Sequence, residues 1–173
     1  MESASNVQAS SGDYHLNITT ETAREFRGMM RNFLAGTECE VVALIERSGA
    51  VIVNELKPNA AKAAPDPDSL GVLVAGLFAT TQMIAGQLGE PSSPEVLCHG
   101  EECHLLVHPV SDEFALLAAF RDGVAVGVVR LHAKQVAEGM LGHLGQIMRS
   151  RSTYSPPNEA VAESTEGPFL QYN

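Results

Sequence analysis

Residues 68–90 read DSLGVLVAGLFATTQMIAGQLGE, with no charge between Asp68 and Glu90. The spacing predicts a helix over Asp68–Gly89. Asp68 or Ser69 can cap its first amides, Pro65 and Pro67 stop any helix arriving earlier, and Gly89 supplies the residue beyond its end. At about 100° per residue two faces separate. Leu70, Leu73, Val74, Leu77, Thr81, Ile84 and Leu88 form a stripe expected to lie against a sheet. The opposite face holds Val72, Ala75, Gly76, Ala79, Gln82, Met83 and Gly86, small or flexible and uncharged. A solvated face carries Lys and Glu, so this one is expected to be covered by a second copy of the chain or by another protein. The competing reading is a helix buried inside its own domain. Thr80, Thr81 and Gln82 interrupt the apolar run, which argues against membrane insertion.

Upstream, Thr19 or Thr20 caps a predicted helix running to about Ala35, ended by Gly36. Ala23, Phe26, Met30, Phe33 and Leu34 keep helical spacing, and Arg24, Arg27 and Arg31 lie off that stripe. Glu40–Glu46 and Ala50–Glu55 are β-rich runs joined by Arg47-Ser48-Gly49, a hairpin pattern. A polar, Ala- and Pro-rich loop from Lys57 to Pro67 delivers the chain to the central helix.

Downstream of a second Pro-rich connector come a short strand, Glu95–His99, then Cys103–Val110 and Glu113–Phe120. The last two are too uniformly apolar for a sheet with one wet face, so helices are expected on both faces. Val129, Ala133, Val136, Met140, Leu144 and Ile147 set a final helix from about Val124 to Arg149, weakened by Gly139, Gly142 and Gly145. The order is helix, two strands, helix, three strands, helix. It implies an α/β (α+β) fold with a five-stranded, mainly antiparallel sheet covered on both faces.

Length suits one domain with tails. Residues 1–17 and 150–173 are expected to be disordered around a domain at 18–149, the second tail carrying a small apolar cluster, Phe169-Leu170-Gln171-Tyr172. A net charge of −10 argues against nucleic acid or an anionic membrane as partner. Three cysteines, with no secretory-type apolar start, fit a reducing cytoplasm.

Few constellations suggest chemistry. Cys98-His99-Gly100-Glu101-Glu102-Cys103-His104 gathers metal-ligand types, but strand alternation sends neighbours to opposite faces. The expectation is a strand turn with buried thiols and no metal. His108, His132 and His143 stand isolated among apolar residues, and no nucleophile has a base at recognisable spacing. No phosphate-binding glycine loop is present, so no cofactor or catalytic residue is assigned. Arg24, Arg27, Arg31, Arg121 and Arg130 are the groups that can neutralise a transferring phosphoryl group in trans, and they are more simply read as solvated or salt-bridged.

Two stretches nevertheless carry a family likeness. One is Leu73-Val74-Ala75-Gly76 with Ala79, Ala85 and Gly89-Glu90. The other is Phe120 followed by Gly127-Val128-Val129-Arg130-Leu131, Lys134 and Glu138. With them the chain resembles the Roadblock family, in the bacterial branch typified by MglB, over about Thr20–Ile147. The resemblance implies one helix on one face of the sheet and two on the other, with copies joined through the central helices and the edge strand that follows. It implies a cytoplasmic homodimer that binds a Ras-like small GTPase of the MglA type and stimulates its hydrolysis, on a surface made by Val72, Ala75, Gly76, Ala79, Gln82, Met83 and Gly86. The alternative is an adaptor of the same fold that tethers partners without affecting nucleotide turnover. An enzyme with its own active site is the least supported reading.

Overall fold

The computed structural model describes residues 18–58, 60, 67–91 and 93–153. Most of both tails, the 61–66 part of the connector before the central helix and the Phe169–Tyr172 cluster lie outside the described residues.

The elements are α1 (Thr20–Gly36), β1 (Val41–Glu46), β2 (Val51–Leu56), α2 (Pro67–Leu88), β3 (Val96–His99), β4 (Cys103–Pro109), β5 (Phe114–Arg121) and α3 (Val126–Thr153). The strands form one antiparallel sheet ordered β2-β1-β5-β4-β3, leaving β2 and β3 at its edges. This is the expected mixed fold.

Alternation along β1 and β5 supplies two cores. Val42 and Leu44 of β1 with Phe114, Leu116, Ala118 and Phe120 of β5 face α1 and α3. There they meet Phe26, Met30, Phe33, Val129, Ala133 and Met140. Ala43, Ile45, Ala115 and Leu117 face the other way, onto Val74 and Phe78 of α2. Each large side chain so buried is worth about 1.5–3 kcal/mol. The sheet is held from both faces, which is why its central strands read as continuous apolar runs.

Helix ends follow local chemistry. The Thr19 hydroxyl accepts the Thr22 amide at 3.2 Å and starts α1. Gly36 is the last residue of α1 rather than its stop; the C-cap is Thr37, in extended backbone, whose hydroxyl donates to the Phe33 carbonyl at 2.8 Å. Gly36 instead stands close against α3: a Cβ there would sit 2.7 Å from His132 Cε1. Helix α2 begins at Pro67, so Asp68 and Ser69 lie in its first turn and are not its cap. It ends as expected, with Gly89 at φ +72 and the Glu90 amide donating to the Ala85 carbonyl at 2.9 Å, which satisfies two last-turn carbonyls together with the Gly89 amide.

Helix α2 reaches the sheet through glycine. A Cβ on Gly71 would stand 2.3 Å from the Gly49 carbonyl oxygen and 2.9 Å from Val51 Cγ2. Gly49, in the β1–β2 turn, itself has φ +94, the left-handed conformation that disfavours side chains. Two glycines therefore set how closely α2 seats on the hairpin.

Candidate docking surface on the central helix

The buried side of α2 consists of Gly71, Val74, Ala75, Phe78 and Ala85, with Leu70, Leu77, Thr81 and Gln82 partly covered. This corrects the expected stripe. Leu73, Ile84 and Leu88 are 72%, 51% and 74% exposed, while Phe78, on neither expected face, is 1% exposed and central to the contact. The physical reason is a rotation of the helix. A stripe counted by the commonest residue type placed Leu at the centre, but the centre is set by Val74, Phe78 and Ala85, and the leucines fall to one side of it.

The outward face survives that rotation with changed membership. Val72 and Met83 are 64% and 73% exposed, Gly76 and Gly86 are exposed, and Ala79 is half-buried. Ala75 is buried within its own chain at 8% exposure. Gln82 lies on the flank, donating from Nε2 to the Asp112 carbonyl at 3.0 Å and so tying α2 to the β4–β5 turn. Leu73, Ile84 and Leu88 join the outward set, which makes the surface greasier than the small-residue face anticipated. Thr80 and Thr81 return their hydroxyls to the carbonyls of Gly76 and Leu77 at 2.8 and 3.0 Å, so they contribute little free polarity. By length and composition Ser69–Leu88 is apolar enough to cross a membrane, contrary to the expectation drawn from Thr80, Thr81 and Gln82. Phe78 and Val74 seat it on the sheet.

The edge strand β3 continues the surface. Val96 packs with the α2-side core, and Cys98, two residues on, is exposed on that side. Cys103 is exposed as well, which corrects the expectation of buried thiols; the buried member of that cluster is His104, at 7% exposure. Its ring lies between His99, with centroids 4.6 Å apart, and Phe120, at 5.5 Å. Nε2 stands 3.5 Å from Asp122 Oδ1 and Nδ1 has no partner among the described residues. Among the described residues no three His, Cys, Asp or Glu side chains converge as metal ligands.

The other histidines among the described residues are tied down. Glu95 bridges His108 Nδ1, at 2.9 Å, and Arg130 Nε, fixing the start of β3 to both β4 and α3. His143 packs edge-on to Phe26 and contacts Glu25 at 3.4 Å, and His132 packs edge-on to Phe33. A concavity of about 740 Å³ lies away from α2, lined by Glu38, Glu40, Lys57 and Arg121 among others. Arg121 pairs there with Glu40 at 3.1 Å, and Lys57 donates to the Thr37 carbonyl.

The fold, with one helix on one face of the sheet and two on the other, is shared with solved structures. "MglB with tetrameric arrangement" superposes with a TM-score of 0.70 at 27% identity, over 75% of this chain and 95% of that one. The gliding protein mglB of Thermus thermophilus gives 0.65 at 26% identity, over 77% and 95%. A Roadblock/LC7 domain from Streptomyces avermitilis gives 0.59 at 14%, over 68% and 96%. The chain has the Roadblock fold. No family model and no curated protein matches it.

Within the Roadblock frame the arginines fall away from the outward face of α2. Arg24, Arg27 and Arg31 are on α1, Arg130 is on α3, and both helices lie on the opposite side of the sheet. Arg47 sits in the β1–β2 turn, 4.0 Å from Glu113. The exposed Leu73, Ile84 and Leu88 were missed in the sequence. The signal available was Phe78, whose size and position between Val74 and Ala85 mark the inner line of the helix.

Proposed function

We propose that this Roadblock chain is a homodimeric regulator that binds a bacterial Ras-like small GTPase of the MglA type and stimulates its GTP hydrolysis, acting in the cytoplasm with no active site of its own. The observation that carries the reading is the outward face of α2: Val72, Leu73, Met83, Ile84 and Leu88 are each at least half exposed, with no charged residue between Ser69 and Leu88. Monomeric surfaces rarely present so continuous an apolar patch without a partner. The likeness to MglB structures supports a GTPase as that partner. Copies join through the outward faces of α2 and the open edge of β3, which isologous pairing can cover.

A face without Lys or Arg contributes no finger to the transferring phosphoryl group. Stimulation then comes from binding the GTPase conformation in which its own catalytic groups are aligned, a shift in population driven by differential affinity.

Single-turnover hydrolysis by an MglA-type GTPase, with and without a stoichiometric excess of this chain, tests the reading. Faster turnover is expected. Binding with unchanged turnover would replace the regulator by an adaptor, and absence of binding would remove the GTPase as partner.

A further inference from the structure

We propose that the acidic segment following α3, residues 154–173, docks in cis on an arginine stripe along α1. Arg24, Arg27 and Arg31 are exposed and share one flank of that helix, at i, i+3 and i+7. The flank faces away from α3: Arg31 reaches Glu55 of the edge strand β2 at 3.3 Å, whereas Glu25, on the other side of α1, contacts His143 of α3. Arg24 and Arg27 have no acidic partner among the described residues. In a chain of net charge −10 that is an unusual concentration of free positive charge. The segment after α3 has the complementary sign, with Glu159, Glu163 and Glu166 and no Lys, Arg or His.

The topology brings the two together. Helices α1 and α3 run antiparallel, since His143 meets Phe26 and His132 meets Phe33. From His143 to Thr153 α3 rises about 15 Å, while α1 extends only about 8 Å from Glu25 back to Thr20. The segment therefore leaves α3 just beyond the first turn of α1. Extended chain covers about 3.3 Å per residue, so Glu159 can return roughly 20 Å and Glu163 roughly 33 Å, enough to cross that turn and meet Arg24 and Arg27. Single exposed ion pairs are weak, but a short tether raises the effective concentration of the second and third pairs. An anionic lipid surface offers the same chemistry to the stripe, but the net charge of the whole chain repels it. The arginine stripe lies on the sheet face opposite the outward surface of α2, so docking there is independent of the function proposed for that surface.

The test uses the full chain, isotopically labelled, beside the Glu159→Gln/Glu163→Gln/Glu166→Gln variant. At about 0.02 M salt the amide resonances of Arg24–Asn32 should differ between the two proteins, and at about 0.5 M, where screening shortens the range of charge to a few ångströms, the difference should vanish. Chymotryptic cleavage after Phe169 should be about threefold to tenfold faster in the variant at low salt, the scale of three exposed pairs acting together. Combining Arg24→Glu/Arg27→Glu with Glu159→Arg/Glu163→Arg should restore slow cleavage where either pair alone speeds it. These side chains are exposed, so helical content should be unchanged. Identical α1 resonances at low salt would overturn the proposal. So would a difference that grows with protein concentration, which places the segment on a second copy, or one seen only with added anionic vesicles.

Discussion

Gly71→Ala is expected to destabilise the protein although it replaces a helical glycine by the best helix former. An added Cβ would lie 2.3 Å from the Gly49 carbonyl oxygen, 2.9 Å from Val51 Cγ2 and 3.4 Å from the Gly49 carbonyl carbon. A carbon and an oxygen in ordinary contact stand about 3.3 Å apart, so one partner must move by about 1 Å. Gly49 is poorly placed to give way, because its φ of +94 is fixed by the tight β1–β2 turn, where its amide donates to the Glu46 carbonyl at 2.8 Å. Helix α2 must lift instead, loosening Val74 and Phe78, which are 2% and 1% exposed. Overpacking of this kind costs about 1–3 kcal/mol, with a backbone clash at the upper end, against about 1 kcal/mol gained from helix propensity. The net expectation is a loss of about 2 kcal/mol, or about 4–8 °C in Tm for a chain of this size. Gly142→Ala, in α3 on the other face of the sheet, is the control, because a Cβ there meets nothing within 4 Å. It should raise stability by up to about 1 kcal/mol. Urea melts followed by circular dichroism measure both. A Gly71→Ala protein as stable as the parent would refute the close seating of α2 on the hairpin, and so the orientation assigned to its outward face.

Ala79→Arg, half-buried on the small side of the outward face, should weaken self-association in light scattering while leaving helical content unchanged, whereas Ala75→Arg should unfold α2 from the sheet, because Ala75 is 8% exposed within its own chain. Met83→Glu, at a side chain 73% exposed, should leave stability within about 0.5 kcal/mol and shift light scattering to monomer; a persistent dimer would place the seam elsewhere. Alanine at Arg24, Arg27, Arg31, Arg47, Arg121 or Arg130, one at a time, should keep stimulated turnover within about threefold of the parent, and loss of all stimulation with binding retained would reveal an arginine acting in trans. Burial pushes the Cys39 thiol above its ordinary value of 9.0, opposed by the Thr37 hydrogen bond and by Lys57. The unfolded chain therefore releases this proton first, so stability should hold below the ordinary thiol range and fall as pH rises through it toward the folded value; Cys39→Ala should flatten that slope.

The fold was legible because its strongest signals were local and agreed with one another. Gly49 and Gly89 both adopt the left-handed backbone their turn and cap require, Thr19 caps α1, and the unbroken apolar runs of β1 and β5 are buried from two sides. The outward face of α2 was legible only in part, and its error is instructive. When a helix is apolar all round, periodicity no longer fixes its rotation, because each candidate stripe holds enough Leu, Val and Ala to pass as the inner one. What fixes the rotation is contact: Gly71 against Gly49, Phe78 in the α2-side core, and Gln82 bonded to the Asp112 carbonyl. None of these is visible in a single helix. The thiols misled for a related reason, since Cys98 on the edge strand β3 and Cys103 at the first position of β4 lie where the sheet does not bury residues that the same pattern would bury at its centre.

That rotation bears on how one helix can serve two partners. A helix packing on another covers only about a 100° stripe, and the exposed, uncharged arc of α2 is wider than that. Val72, Ala79, Met83 and Gly86 lie toward one side of the arc, and Leu73, Ile84 and Leu88 toward the other, with Gly76 between them. Under the proposed function the small side suits close approach by a second copy, since Gly76 and Gly86 allow backbones to draw near. The larger side chains on the other flank remain to be covered by the GTPase. The division predicts separable phenotypes. Gly86→Leu, bulky on the small side, should weaken self-association and leave the GTPase affinity of any remaining dimer unchanged. Leu73→Asp or Ile84→Asp should do the reverse, lowering GTPase affinity by about tenfold or more for each buried anchor lost while light scattering still reports a dimer. If both kinds of substitution instead cost both properties together, the two partners share a single stripe and the second flank belongs to neither.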